Sequence, residues 1–562
     1  MFVRIKMQET QTVKGGLNFI ISDIMKLRRE GPMNKKKLIG WGLCVISVFV
    51  FTISMFIVES AQAAEKPAPK AATKPEAKQA PKEQPQTGGI LKIIEATGPK
   101  TPFGWPVEGV GEASIANKPV LESLLRQHYD GRIEPWLAES WKIAPDKSSV
   151  TLTLRKNVKF HDGTEFNAEA VKFNLEAMKA GKRPGTEDWA VVDVVDNFTV
   201  KITLSKYTNV LLTRFAGGGG VQVSPTAFKT KGIEWARWNP VGTGPYEFVS
   251  FERDVRTKYK RFEGYWQKGK PYLDGVEYVY IKDLMTQAAA MQAGDAQVLN
   301  TETGKMAADL KAAGLNVITA DTGTVVLIPD SANADSPLAN KKVREAVEYA
   351  IDKEAMAKAK SYGFWGAAYQ LPNVGTMAYI KDFQGRRYNV AKAKQLLKEA
   401  GYPEGFKTRI IPHFAIDKDI MVIIQGYLAK VGITAEVEIV DQGKYTDYRR
   451  KGWKNGFLCQ PFGSYPNYLQ SLDLYMSSDA LDFQIMKKPA GLDALIKEAL
   501  ATTDPEVPRI QKALQMIHED ATIIPIHTTG RASIQQKNVR DTGHLSMGIW
   551  TEWTPERPWL KK

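Results

Sequence analysis

A chain of 562 residues, 43% hydrophobic and 10% aromatic, is long enough for a packed core and for two to four domains. Its net charge of +14 comes from scattered lysines and arginines with no clustered basic stripe, which argues against a nucleic-acid-binding protein. Two cysteines, Cys44 and Cys459, and six histidines supply neither a disulfide framework nor a Cys/His metal cluster.

The first elements are addressing signals. Lys35-Lys36-Lys37 precedes the uncharged run Leu38–Val58, and Ala61-Gln62-Ala63 follows it. A basic flank, an apolar stretch and a small-residue site in that order describe a secretory signal over 33–63. The run is also long enough to span a bilayer, so an uncleaved anchor is the alternative. Leu43 before Cys44 is not the small residue that lipid attachment needs. The 32 residues before Met33 fit export poorly and are expected to be a mis-assigned upstream extension. Residues 64–88, rich in Ala, Pro, Lys, Glu and Gln, bury too little apolar surface to fold and are expected to form a disordered tether.

Beyond Gly88-Gly89 the pattern alternates strands and helices. Ile90–Ala96 predicts a strand, and Val150–Leu154 and Val200–Leu204 alternate apolar with polar residues as half-exposed strands do. Ala168–Ala180 predicts a helix with Asn167 as its N-cap. Lys341–Lys358 predicts another, its buried stripe being Val343, Ala346, Val347, Ala350 and Ile351. Val390–Ala400 is helical and is stopped by Gly401 and Pro403. Ile433–Val440 is strand-like, Pro505–Glu519 helical, and Ile523–Ile526 a strand after it. Interleaved elements without an internal repeat give an α/β class with mixed sheets.

Several segments carry a resemblance. Pro135-Trp136-Leu137-Ala138-Glu139-Ser140-Trp141 is followed by Leu154-Arg155-Lys156-Asn157-Val158-Lys159-Phe160-His161-Asp162-Gly163, and later by Asn239-Pro240-Val241-Gly242-Thr243-Gly244-Pro245-Tyr246. Together with Pro337-Leu338-Ala339-Asn340-Lys341-Lys342-Val343-Arg344 and Leu396–Pro403, these resemble the solute-binding proteins of bacterial ABC importers, in the family with dipeptide-, oligopeptide- and nickel-binding members. The resemblance covers about 89–560. It implies a two-lobed periplasmic-binding-protein fold of the large, three-subdomain type II form. Lobe I would comprise 89–325 plus 529–562, with a subdomain near 120–205, and lobe II 326–528. Crossings would fall near Thr324–Ile328 and Ile526–Gly530, with hinge closure around the ligand. It also implies a monomeric periplasmic receptor that hands a small solute to ABC permease subunits, without a cofactor, a metal or a nucleic-acid partner.

In peptide binders of that family a lobe II loop presents an Asp to the peptide's amino group. The matching loop here, Phe462-Gly463-Ser464-Tyr465-Pro466-Asn467-Tyr468, has no acid. A buried ammonium without a counter-charge is costly, so an ordinary free-amine peptide is disfavoured unless another acid substitutes. The ligand-binding residues expected are Phe103, Trp105, Gly218, Gly219, Trp365, His413, Phe462, Ser464, Tyr465 and Tyr468. For Trp365, Phe462, Tyr465 and Tyr468 the alternative is core packing, and for the Ala216–Gly220 run a surface turn. His161 beside Asp162 reads as stabilising a turn, and Cys459 as a small buried residue. A catalytic role has no support: G-x-S-x-G, H-E-x-x-H and a convincing carboxylate pair are all missing. Ligand identity among peptides, opines, sugars and metal chelates stays open, as does sensing rather than import.

Overall fold

The computed structural model describes residues 83–562 except 106, 109–111, 415, 504–505 and 544–553. The expected upstream extension, the apolar run and the tether up to residue 82 lie outside the described residues.

Among the described residues the largest sheet has ten strands. Their spatial order is Tyr246–Glu252, Arg256–Arg261, Gly275–Tyr280, Ile90–Glu95, Val298–Thr301, Ile524–Gln535, Asn316–Pro329, Gly456–Gly463, Lys407–Pro412 and Thr434–Val437. Parallel pairs lie in both halves: Ile90–Glu95 runs parallel to its two neighbours, and Lys407–Pro412 to its two. The 14-residue and 12-residue strands at the centre are antiparallel to each other and belong to both halves. Ala532–Gln535 pairs with Val298–Thr301, and Gly323–Pro329 pairs with Gly456–Gly463. Their common ladder slips between Asp321 and Gly323 and again between Val325 and Val326. Bulges of this kind bend and twist a strand locally.

Alternation along the strands decides what covers each face. Ile410 and Ile411 both lie fully inside, but Ile410 packs with Val343, Leu396 and Ile424, whereas Ile411 packs with Leu472, Ile496 and Leu514. Successive side chains thus feed two helix layers, one on each side of the sheet. A separate four-stranded antiparallel sheet, Ala138–Ile143, Ser149–Leu154, Thr199–Leu204 and Trp189–Asp196, lies within 120–205. Val150, Leu152, Leu154, Val200 and Ile202 turn inward to a core shared with Val171, Leu175 and Met178 of the helix Ala168–Ala180. Asn167 caps that helix by accepting from Ala170 N at 3.1 Å.

Two expected elements change. The helix predicted over Lys341–Lys358 is two, Lys341–Ala350 and Lys353–Ser361. Ile351 is extended, and Asp352 caps the second helix by accepting from Ala355 N at 3.0 Å. The predicted stripe is nevertheless buried throughout. The strand expected over Ile433–Val440 is paired only at Thr434–Val437, because Asp441 already caps the helix Gln442–Lys451.

Two of the recognisable segments, through Trp136 and Thr243, meet at one carboxylate. Glu122 accepts from Trp136 Nε1 at 2.9 Å, Tyr265 OH at 2.9 Å, Thr243 Oγ1 at 2.8 Å and Trp266 Nε1 at 3.0 Å. Burial pushes its carboxyl from about 4.5 up to about 7, against the pull of those donors. The native state therefore keeps this proton to higher pH than the unfolded chain does. The stability that Glu122 contributes is complete below about pH 4.5 and is lost as pH rises through about 7. Denaturant titrations from pH 4.5 to 8 are expected to show a decline of roughly 3 kcal/mol that Glu122→Gln lacks. Equal slopes for the two proteins would disprove it.

His161 ties two turns. Its backbone N–H donates to Gly242 O at 2.9 Å and its Nε2 lies 2.8 Å from Gly244 O. Burial lowers its pKa to about 4. Gly163 closes the adjacent turn at φ +83°, a conformation that favours glycine.

Candidate functional site

Parallel strands offer their carboxyl ends as a natural place for a ligand. In one half those ends are Thr301 and the residues after it; in the other they are Pro412 and Gly463. A cavity of about 700 Å³ opens there, floored by Thr322–Val325 and His527–Gly530 of the two central strands. Glu302–Lys305 closes it on one side, while residues of Met356–Trp365 and Ile416–Ile420, with Pro461–Gly463 and Tyr465, close it on the other. That volume suits a small organic molecule of a few residues' size.

Trp365 is held by two glycines. A Cβ on Gly304 would fall 2.8 Å from its Cζ3, and one on Gly530 only 1.8 Å from its Nε1. The indole can lie in the cavity wall because both positions lack a side chain. Its Nε1 is shielded from solvent and has no hydrogen-bond partner among the described residues. Phe462, Tyr465 and Tyr475 line the same space, with the Phe462 and Tyr475 rings 4.3 Å apart.

His527 contributes a polar atom. Its Nδ1 lies 2.7 Å from the Thr528 carbonyl oxygen. A carbonyl only accepts, so Nδ1 carries the proton. Burial lowers the ring's pKa and keeps it neutral, leaving Nε2 as a lone-pair acceptor. That Nε2 is shielded and has no hydrogen-bond partner among the described residues. The charged groups at the rim are paired, with one carboxylate in excess: Lys360 pairs with Asp417 at 2.7 Å and Asp419 at 2.8 Å, Lys305 with Asp309 at 2.6 Å, and Glu302 with Arg531 at 3.2 Å.

Of the residues expected from sequence, Trp365, Phe462 and Tyr465 line the cavity together. The others are placed elsewhere. Phe103 is fully buried among Trp238, Phe248 and Phe251, with ring centroids 5.3–6.2 Å away. Trp105 packs on Phe228 at 4.5 Å and Phe173 at 6.0 Å. Gly218 and Gly219 form a tight turn; the close approach is at Gly220, where a Cβ would meet the Phe215 carbonyl oxygen at 1.9 Å. His413 stacks on Phe414 at 3.9 Å, and burial lowers its pKa. Ser464 accepts from Asn373 N at 3.3 Å, and Tyr468 lies in the hydrophobic core. Asn467 caps Leu469 N and donates to Asn209 Oδ1 at 3.3 Å. His527, Asp417 and Tyr475 were not anticipated. The only sequence signal for His527 was its place on an expected crossing strand.

A mixed sheet spanned by two shared strands, with an aromatic cavity at that junction, defines a two-lobed receptor for a small solute. A family model described as bacterial extracellular solute-binding proteins, family 5 Middle, matches residues 132–482. The chain belongs to that family. The glutathione-binding protein GsiB of Salmonella choleraesuis (strain SC-B67) is 31% identical over 455 residues, covering 75% of this chain and 88% of the relative. Among solved structures, NikA from Brucella suis in complex with Fe(III)-EDTA superposes with a TM-score of 0.73 at 24% identity, over 83% of this chain and 100% of that one. The periplasmic binding protein DppA from Helicobacter pylori in complex with peptide STSA gives 0.68 at 23% identity, over 85% and 99%. The family and these relatives are binding proteins. Among the described residues no helix is long and apolar enough to cross a membrane.

Proposed function

We propose that this chain is the periplasmic receptor of an ABC importer, that it captures a peptide-like organic solute without altering it, and that it delivers the solute to a membrane permease. The observation that carries this reading is the cavity at the strand junction, walled by both halves of the sheet. A ligand in such a place favours the closed arrangement by its differential affinity for it. The bulges at Asp321–Gly323 and Val325–Val326 are where the bending would concentrate. The glutathione-binding relative points to a peptide-like cargo. A γ-linked peptide suits a loop without an acid, because its ammonium sits beside its own carboxylate.

Thermal unfolding of the mature protein tests this. Glutathione is expected to raise the melting temperature in a concentration-dependent way, since it would bind only the native form. Free-amine dialanine is expected to do so weakly. Mass spectrometry of recovered glutathione should find it unchanged. Stabilisation by maltotriose or Fe(III)-EDTA but by no peptide would overturn the choice of cargo. Chemical conversion of the bound solute would overturn the receptor.

A further inference from the structure

The last carbonyls of a helix have no intrahelical partner and carry the negative end of its dipole. Where the helix Leu492–Leu500 ends, the carbonyls of Leu500, Ala501 and Thr502 are met by groups from a distant part of the chain. Asn209 N donates to Leu500 O at 2.7 Å, Asn209 Nδ2 to Thr502 O at 3.0 Å, and Lys147 Nζ to Ala501 O at 2.6 Å. Asn209 Oδ1 accepts from Asn467 Nδ2 at 3.3 Å, so this one buried residue makes three bonds across the contact. Val210 beside it is 1% exposed and shares a core with Leu469, Leu472 and Leu500. Gly131 approaches the same loop as Asn209: a Cβ there would stand 2.9 Å from Pro466 O and 2.3 Å from Met377 Cε.

Lys147, Asn209 and Val210 belong to the unit built on the four-stranded sheet, whose core takes in Tyr207 and Leu211 on either side of Asn209–Val210. That unit is fixed to the first half of the large sheet. Glu122 holds Thr243, Tyr265 and Trp266, from the segments flanking the strands Tyr246–Glu252 and Arg256–Arg261. Asn467 and Leu500 stand with the second half, after the strand Gly456–Gly463. The contact therefore bridges the two halves away from the strands they share, and movement of one half on the other must part it. Lys147, Asn209, Val210 and Asn467 all lie outside the lining of the solute cavity, whereas Tyr465, two residues before Asn467, is part of it.

We infer that this bridge is a clasp holding the receptor closed from outside the cavity, and that the loop 462–468 couples clasp to cavity by turning Tyr465 to the solute and Asn467 to Asn209. The inference rests on the solute-receptor reading and adds a determinant of affinity that no solute touches. A clasp made only in the closed arrangement raises the closed fraction, and apparent affinity scales with that fraction. It strengthens the binding of every solute by one factor and leaves the ratios between solutes alone. Strength is then set by the four-stranded unit, and selectivity by the cavity wall.

Crosslinking and scattering test the clasp without a known cargo. In Asn209→Cys/Asn467→Cys the new thiols replace side chains that already meet, and Cys459 is buried away from them. Small-angle scattering of unliganded protein is expected to give a smaller radius of gyration for the oxidised double variant than for Asn209→Ala/Val210→Ser, with the reduced double variant at or between the two. One radius shared by all three would make the contact permanent and overturn the clasp, as would failure of the cysteine pair to oxidise. Calorimetry with S-methylglutathione and trialanine tests the coupling. Asn209→Ala is expected to weaken whichever of them binds wild type by about tenfold, the loss of two side-chain hydrogen bonds made only on closure. Their affinity ratio should not change. Wild-type affinity in that variant, or an altered ratio, overturns the inference and leaves the receptor standing. Binding of neither peptide by wild type overturns the peptide-like cargo instead, and the scattering still decides the clasp. Circular dichroism confirms that each variant folds.

Discussion

Glu348→Ala is expected to cost about 3–5 kcal/mol of folding stability. The carboxylate is fully buried, and Lys353 Nζ lies 2.9 Å from Oε1 while Arg386 NH1 lies 3.0 Å from Oε2. Burial alone would raise its pKa, but Lys353 and Arg386 overcome that and hold it below the usual carboxylate value. Arg386 has further acceptors in Glu345 Oε1 at 3.0 Å and His518 O at 2.7 Å. Among the described residues Lys353 has no second counter-ion at such range, and it is as deeply buried as its partner. Removing Glu348 therefore strands an ammonium that burial already pushes towards its neutral form. The Glu348→Leu/Lys353→Met pair should recover most of the loss, because it removes both charges and refills the volume. Urea unfolding measures each variant; a loss under about 1 kcal/mol for Glu348→Ala would mean that the pair is solvated. The sign with pH is opposite to that of Glu122. A depressed carboxyl stabilises above its unfolded value of about 4.5 and loses that contribution as pH falls through its lower native value.

Phe462→Ala and Trp365→Ala should separate two roles that look alike in sequence. Phe462 is 2% exposed and packs with Tyr475 and Phe483, so its truncation should cost about 3–5 kcal/mol of stability as well as affinity. Trp365 is only half-buried and rests on glycine backbone rather than in a side-chain core. Its truncation should weaken binding by roughly 1–3 kcal/mol and change the unliganded melting temperature little. Unchanged affinity in Trp365→Ala would remove the indole from the ligand's surroundings. An unchanged melting temperature in Phe462→Ala would remove Phe462 from the core.

Local chemistry was readable from the chain. The helix Ala168–Ala180 has an apolar period and an Asn cap, and both survive in the fold. The turn at Asp162-Gly163 needs positive φ, and glycine supplies it. The break at Ile351–Asp352 was not readable, because the buried stripe runs through it in phase and only the cap geometry reveals it. Cavity and core could not be told apart for aromatics. Phe103 meets Trp238, Phe248 and Phe251, partners more than a hundred residues away, and no local pattern announces such a meeting. His527 was missed for a related reason: a lone histidine becomes informative only when one nitrogen is seen engaged and the other idle.

The carboxylate of Glu122 gathers Tyr265 and Trp266 with Trp136 and Thr243, the last two from the very stretches that make the chain recognisable. None of the five lines the cavity at the strand junction. What advertises kinship here is scaffolding, and scaffolding is silent about freight. A lineage built on this anchor is free to rewrite its strand tips and exchange one nutrient for another while keeping its signature intact.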